Sequence, residues 1–167
     1  MAIPTWLPVV ISSVSVVLAV SAFMWQIHRA RFNQSVDLLF RLENDFFGPA
    51  KKLQRVKASR DLLQGKVLEA EPILDFFETM ALLLRRGALD TEIVWHTFFH
   101  WVDNYYEASK GFIEARQATD PLVWSDLPSF VEKLRAVQAS RLGKSSYTPP
   151  DAEEIAAFLA EEQTEAT

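Results

Sequence analysis

The chain has no cysteine among its 167 residues. That excludes disulfide scaffolds, thiolate metal sites and cysteine nucleophiles. It has five glycines, and none forms a phosphate-cradling loop; GxSxG, HExxH and DxDxDG patterns are also missing. Charge is absent from the whole head, because no Lys, Arg, Asp or Glu precedes Arg29. Basic residues are absent from the tail, where Asp151 to Glu165 holds six acids and no base. What remains between Arg29 and Pro150 is 17 basic and 16 acidic residues, so the net charge of −5 belongs to the tail. A near-neutral body argues against a nucleic-acid partner, which usually calls for a strong basic excess.

The uncharged head contains a run from Trp6 to Ile27, 22 residues rich in Val, Ile and Leu. As a helix it would reach roughly 33 Å, against about 30 Å of bilayer hydrocarbon. Trp6 and Trp25 stand near its two ends, where indoles favour the membrane interface. The rival reading is a cleaved signal peptide, with small residues at Ala19 to Ala22. A signal peptide needs a basic region before its apolar stretch, and here Arg29 and Arg31 come after it. The expectation is a retained single-pass anchor over residues 1–28. Lys and Arg favour the cytoplasmic flank, which puts the N-terminus outside and the body in the cytoplasm at an inner membrane. Ser15 and Ala19 form a small-xxx-small pair, a weak signal for close approach of two spans.

The body, residues 29–143, reads as all-α, a four- to five-helix bundle. No segment shows sustained strand alternation. A first helix is expected over 28–47, possessing apolar Phe32, Val36, Leu39 and Phe46 at helical spacing and continuing directly from the span. Gly48-Pro49 stops it. A second, 50–64, carries Leu53, Val56 and Leu63 and the bases Lys51, Lys52, Arg55, Lys57 and Arg60. A third, 72–87, places Ile73, Phe76, Phe77, Met80, Leu83 and Leu84 on one face. A fourth begins after Asp90, a good N-cap. It carries Trp95, Phe98, Phe99, Trp101, Tyr105 and Tyr106 with Val94 and Val102 on one wide face, and runs on past Gly111 to about Ala118. A fifth, 129–142, turns Phe130, Leu134 and Val137 inward. The stretch 144–167 is a linker and then a short acidic amphipathic helix, opened by a capping-box-like pair, Asp151 and Glu154. Short isolated helices fray, so a loose tail is the default there.

Chemistry-bearing residues are few. Glu92, His96, His100, Asp103 and Glu107 share one polar stripe of the fourth helix, and His96 and His100 have the i, i+4 spacing of metal-binding pairs. Glu92, His96, His100 and Asp103 are therefore the candidate metal ligands. The stripe lies opposite the aromatic face, which makes a solvated surface its ordinary explanation. Asp75 and Glu78 have acid/base spacing but also suit the helix dipole, with Arg85 and Arg86 available as partners. The bases from Lys51 to Arg60 are candidates for anionic headgroups or simply a solvated face. No catalytic residue and no cofactor is assigned.

Three stretches in combination carry a resemblance. They are Leu42-Glu43-Asn44-Asp45-Phe46-Phe47, Leu74-Asp75-Phe76-Phe77-Glu78, and Arg86-Gly87-Ala88-Leu89-Asp90 followed by Trp95. Together they resemble the prokaryotic membrane proteins grouped as domain of unknown function 4760, over roughly residues 28–142. The resemblance implies an N-terminal hydrophobic segment and a helical domain. It carries over no activity and no catalytic residue. The expectation is then a membrane-tethered, non-enzymatic interaction or scaffold module whose partners are the lipid bilayer and a protein or a second copy. The alternatives are a membrane-anchored metal-dependent enzyme using the Glu92/His96/His100/Asp103 stripe, and a module that senses anionic lipid.

Overall fold

The structure is a computed structural model that describes residues 7–164; the side chains of 7–17, 27, 28 and 30–32 lie outside that description. Among the described residues there are helices and turns but no strand. The order is α1 (Leu7–Phe46), α2 (Pro49–Leu63), a single 3-10 turn (Leu68–Ala70), α3 (Glu71–Arg85), α4 (Thr91–Thr119), α5 (Leu127–Arg141) and α6 (Ala152–Thr164). The all-α expectation holds.

The anchor expectation meets a different finding. Among the described residues no helix is long and apolar enough to cross a membrane. Trp6 falls outside the described residues, as do the side chains of residues 7–17, Ser15 among them, and of Ile27.

Local chemistry sets the helix ends. Gly48 carries extended backbone and precedes Pro49 at the first turn of α2. A Cβ on Gly48 would lie 2.8 Å from the carbonyl oxygen of Asn44, so the tight exit from α1 needs glycine. At the end of α3, Gly87 has φ +70 and the amide of Ala88 donates back to Leu83 O at 2.9 Å, a Schellman closure. The Asp90 carboxylate accepts from the amides of Glu92 and Ile93 at 2.9 and 3.1 Å, the cap its residue type predicts. The Asp90 amide donates to Ser35 Oγ at 3.0 Å and ties the α3–α4 turn to α1.

The core gathers on Phe46, at the end of α1. Its ring centroid lies 5.2 Å from Phe76, 5.7 Å from Phe77 and 5.5 Å from Phe98. Leu39, Ile73, Met80, Val94, Val102, Tyr105, Phe130 and Leu134 are buried around that cluster. The apolar faces of α3 and α4 are therefore the core-facing ones. In α2 the apolar pattern misleads. Leu53 and Leu63 are exposed, whereas Arg55, Ala58 and Ser59 join Val56 inside. In α5 Val137 is half-buried, and Arg135 is turned inward.

The tail is not loose. The Asp151 carboxylate accepts from the amides of Glu153 and Glu154, and Glu154 accepts from the Asp151 amide, each at 2.9 Å. The capping box forms as its sequence suggests. Beyond it Phe158, Leu159 and Glu162 are buried against α2 and α4. Fraying is overcome because α6 has a tertiary surface to bury its apolar stripe on.

Candidate functional site

Two buried clusters of charge lie on the flanks of α4. The first joins α2, α4 and α6. Arg55 Nε donates to Glu162 Oε2 at 2.9 Å, with both side chains almost fully buried. Trp101 Nε1 donates to Glu162 Oε1 at 3.1 Å, and Tyr105 Oη donates to Glu162 Oε2 at 3.0 Å. Oε2 thus takes donors from α2 and α4, and Oε1 takes one from α4. Arg55 Nη1 donates to the carbonyl of Phe46 at 2.8 Å, and its guanidinium stacks 4.6 Å from the Phe46 ring. Burial, then the neighbouring Glu162 charge, pushes the Tyr105 hydroxyl far above its ordinary range, so it stays a donor.

The second cluster joins α4, α5 and the linker. Arg135 donates to Asp103 Oδ1 from Nε at 2.7 Å, to Glu107 from Nη2 at 2.6 Å and to Glu132 from Nη1 at 3.2 Å. Tyr147 Oη donates to Asp103 Oδ2 at 2.6 Å. Burial works against the Arg135 cation, but the hydrogen bonds to Glu107 and Asp103 outweigh it and raise its pKa. Burial and the Asp103 bond likewise raise the Tyr147 hydroxyl.

These contacts place the candidate metal ligands one by one. Asp103 is 2% exposed and bound to Arg135 and Tyr147. Glu92, at the exposed start of α4, pairs with Arg141 of α5. His96 is exposed, with its ring beside Trp95. His100 is exposed and meets the Phe158 ring edge to face at 5.1 Å. The four are not brought to one point, and among the described residues no group of three or more His, Asp or Glu is placed to hold a metal ion. The stripe is solvated at its start and buried at Asp103, because α5 and the linker cover its second half.

Asp75 and Glu78 also make contacts beyond α3 that their local sequence does not show, while the Arg85 charge acts on Glu78 as the Arg85/Arg86 reading expects. Asp75 Oδ1 accepts from Trp124 Nε1 at 2.8 Å, and Glu78 Oε1 accepts from the amide of Asp126 at 3.0 Å. They hold the turn between α4 and α5, in which Trp124 adopts φ 48. Arg85 pairs instead with Asp126, at 3.1 Å. Desolvation raises the Glu78 carboxyl. Of the bases on α2, Arg55 is committed to the interior, Lys51 lies 5.5 Å over the Phe76 ring, and Lys57 and Arg60 are exposed.

The residues that sequence reasoning passed over are Glu162, Arg135 and Tyr147. The one signal for the first was a glutamate at i+3 from Leu159 on an otherwise apolar stripe.

A family model described as Domain of unknown function (DUF4760) matches residues 9–134. The chain belongs to this family. The DUF4760 segment contains Arg55, Trp101, Asp103 and Tyr105, whereas Arg135, Tyr147 and all of α6 lie beyond it. No curated protein and no solved structure matches the chain.

Proposed function

We propose that the chain is a membrane-tethered helical interaction module, anchored in the inner membrane by the Trp6–Ile27 run with its N-terminus outside and its body in the cytoplasm. One observation carries the reading. Residues 18–26 of α1 are exposed on every side, Leu18, Val20, Phe23, Met24 and Trp25 among them. A helix that is apolar all round and uncovered by its own domain calls for another apolar medium. The same helix continues into the body, where Leu39 and Phe46 are buried, so tether and domain share one continuous helix. Arg29 stacks 5.4 Å over the Trp25 ring, a pairing suited to the headgroup boundary.

The non-catalytic part of the reading rests on how the buried charge is spent. Arg55, Glu162, Arg135 and Asp103 are bound to one another in structural pairs. Such pairs position helices, and they commit these four buried charges to structure rather than to acid or base chemistry.

Fractionation of cells expressing the full chain, with a reporter fused after Thr167, tests the proposal. The expected result is a chain that resists alkaline extraction from membranes and a reporter active in the cytoplasm. Release into the soluble fraction, or periplasmic reporter activity, overturns it.

A further inference from the structure

The carboxylate of Glu162 sits in a receptacle that the rest of the chain builds. Arg55, Trp101 and Tyr105 aim three donors at its two oxygens from α2 and α4. All three donors lie inside the DUF4760 segment, and the helix that fills the receptacle lies outside it. Receptor and ligand are therefore separable parts of one chain. They are joined by a non-helical segment, 142–151, which is pinned midway by Tyr147 on Asp103 and Phe99.

We propose that this receptacle is a carboxylate-reading site for an acidic amphipathic helix, and that the helix it accepts from outside is α6 of a second copy of the chain. This deepens the interaction-module reading by naming its partner. The site selects a carboxylate, because three donors, Arg55 Nε, Trp101 Nε1 and Tyr105 Oη, converge on the two oxygens of one such group. It demands an apolar stripe one turn earlier, where Phe158 meets Tyr105 at 5.3 Å and Leu159 is buried. The tail of any copy carries both features at the right spacing. Its six acids and no base complement α2, which carries Lys51, Lys52, Arg55, Lys57 and Arg60. Reciprocal exchange of a terminal helix between identical chains reuses the contacts of the closed monomer and needs no new surface. Tethering to one membrane would concentrate the copies in a plane.

Two full-chain variants in detergent micelles separate the halves of the contact. Glu162→Lys sets a cation against Arg55 and expels the chain's own tail while leaving the receptacle intact. Arg55→Gln removes the receptacle's cation and leaves the tail free. The probe is a fluorescent peptide of residues 151–167, read by anisotropy. The E162K chain should bind it at least about tenfold more tightly than the native chain, since self-occupancy lowers apparent affinity by the fraction of open sites. A peptide carrying Glu162→Gln should lose at least about tenfold on the same E162K chain. An equimolar mixture of E162K and R55Q chains should form a 1:1 complex that neither forms alone. Equal peptide binding by native and E162K chains, or equal binding of the two peptides, overturns the proposal. If Arg55→Gln does not fold, the peptide arms decide by themselves. All arms are read in micelles, so a chain that fails the fractionation test can still pass here, and the reverse.

Discussion

Arg55 and Glu162 are 107 positions apart in sequence, yet their side chains meet at 2.9 Å with about 3% and 4% of each exposed. The pair joins the one basic helix to the acidic tail. It explains why neither residue behaves as its local sequence suggests. Burying two opposite charges is tolerated because further donors and acceptors complete both shells.

Truncating this pair should have unequal effects. Arg55→Ala removes the partner of Glu162, the bond to the Phe46 carbonyl and the stack on the Phe46 ring. We expect it to cost about 3–5 kcal/mol in urea unfolding of the full chain. Glu162→Ala should cost less, because α6 can lift away and let water reach Arg55. Its signature should be rapid proteolysis within residues 144–167. A tail that stays protected in Glu162→Ala would contradict this account.

The Arg135 cluster should respond in a graded way. Arg135→Met leaves Asp103, 2% exposed, without its cation, and should cost about 3–5 kcal/mol. Tyr147→Phe removes one hydrogen bond to the same carboxylate and should cost about 1–2 kcal/mol. Denaturant midpoints of the two variants give the comparison. A Tyr147→Phe loss as large as the Arg135→Met loss would mean that the linker, not the cation, organises the cluster.

Glu78 should make stability fall as pH rises through weak acid. Desolvation raises its folded-state pKa above the unfolded value, and Oε2 is buried with no partner among the described residues. The folded state therefore holds the proton more tightly. The stability this provides is present below the unfolded value and is lost as pH rises through the raised folded value. Thermal melts from about pH 4 to about pH 7 should show a flatter profile for Glu78→Gln than for the native chain. Parallel profiles would remove Glu78 as the cause.

Asp75 should matter through a loop rather than through its own helix. It accepts the indole proton of Trp124, which is buried at φ 48 and packs 5.7 Å from Phe112. Asp75→Ala should cost about 1–2 kcal/mol and raise hydrogen exchange at residues 120–126. Unchanged exchange there would show that Gln117, which donates to the carbonyls of Val123 and Trp124, is sufficient to hold the turn.

The legible parts of the fold follow from short-range rules. The Gly48-Pro49 break, the Asp90 cap, the Asp151–Glu154 box and the apolar face of α3 each depend on residues within about one helical turn of one another. Helix ends read from them lie within two residues of the observed ones. The candidate site was less legible. His96 and His100 share a stripe by spacing, but spacing does not reveal that α5 covers one end of it. Asp103 and Glu107 look like surface residues until Arg135 is brought over them from α5.

The sequence by itself determined the helical class, the punctuation between helices, the uncharged head and the location of the acidity in the tail. All of these depend on composition and on contacts a few positions apart. Only the tertiary structure decided which charges are buried. Arg55, Asp103, Arg135 and Glu162 are each ordinary on an isolated helix, since charge is normally solvated. Each is held inside by a partner from another helix, between 32 and 107 positions away. Local pattern carries no term for a partner at that distance, so the two clusters that hold α5, α6 and the linker in place became visible only once the chain had folded.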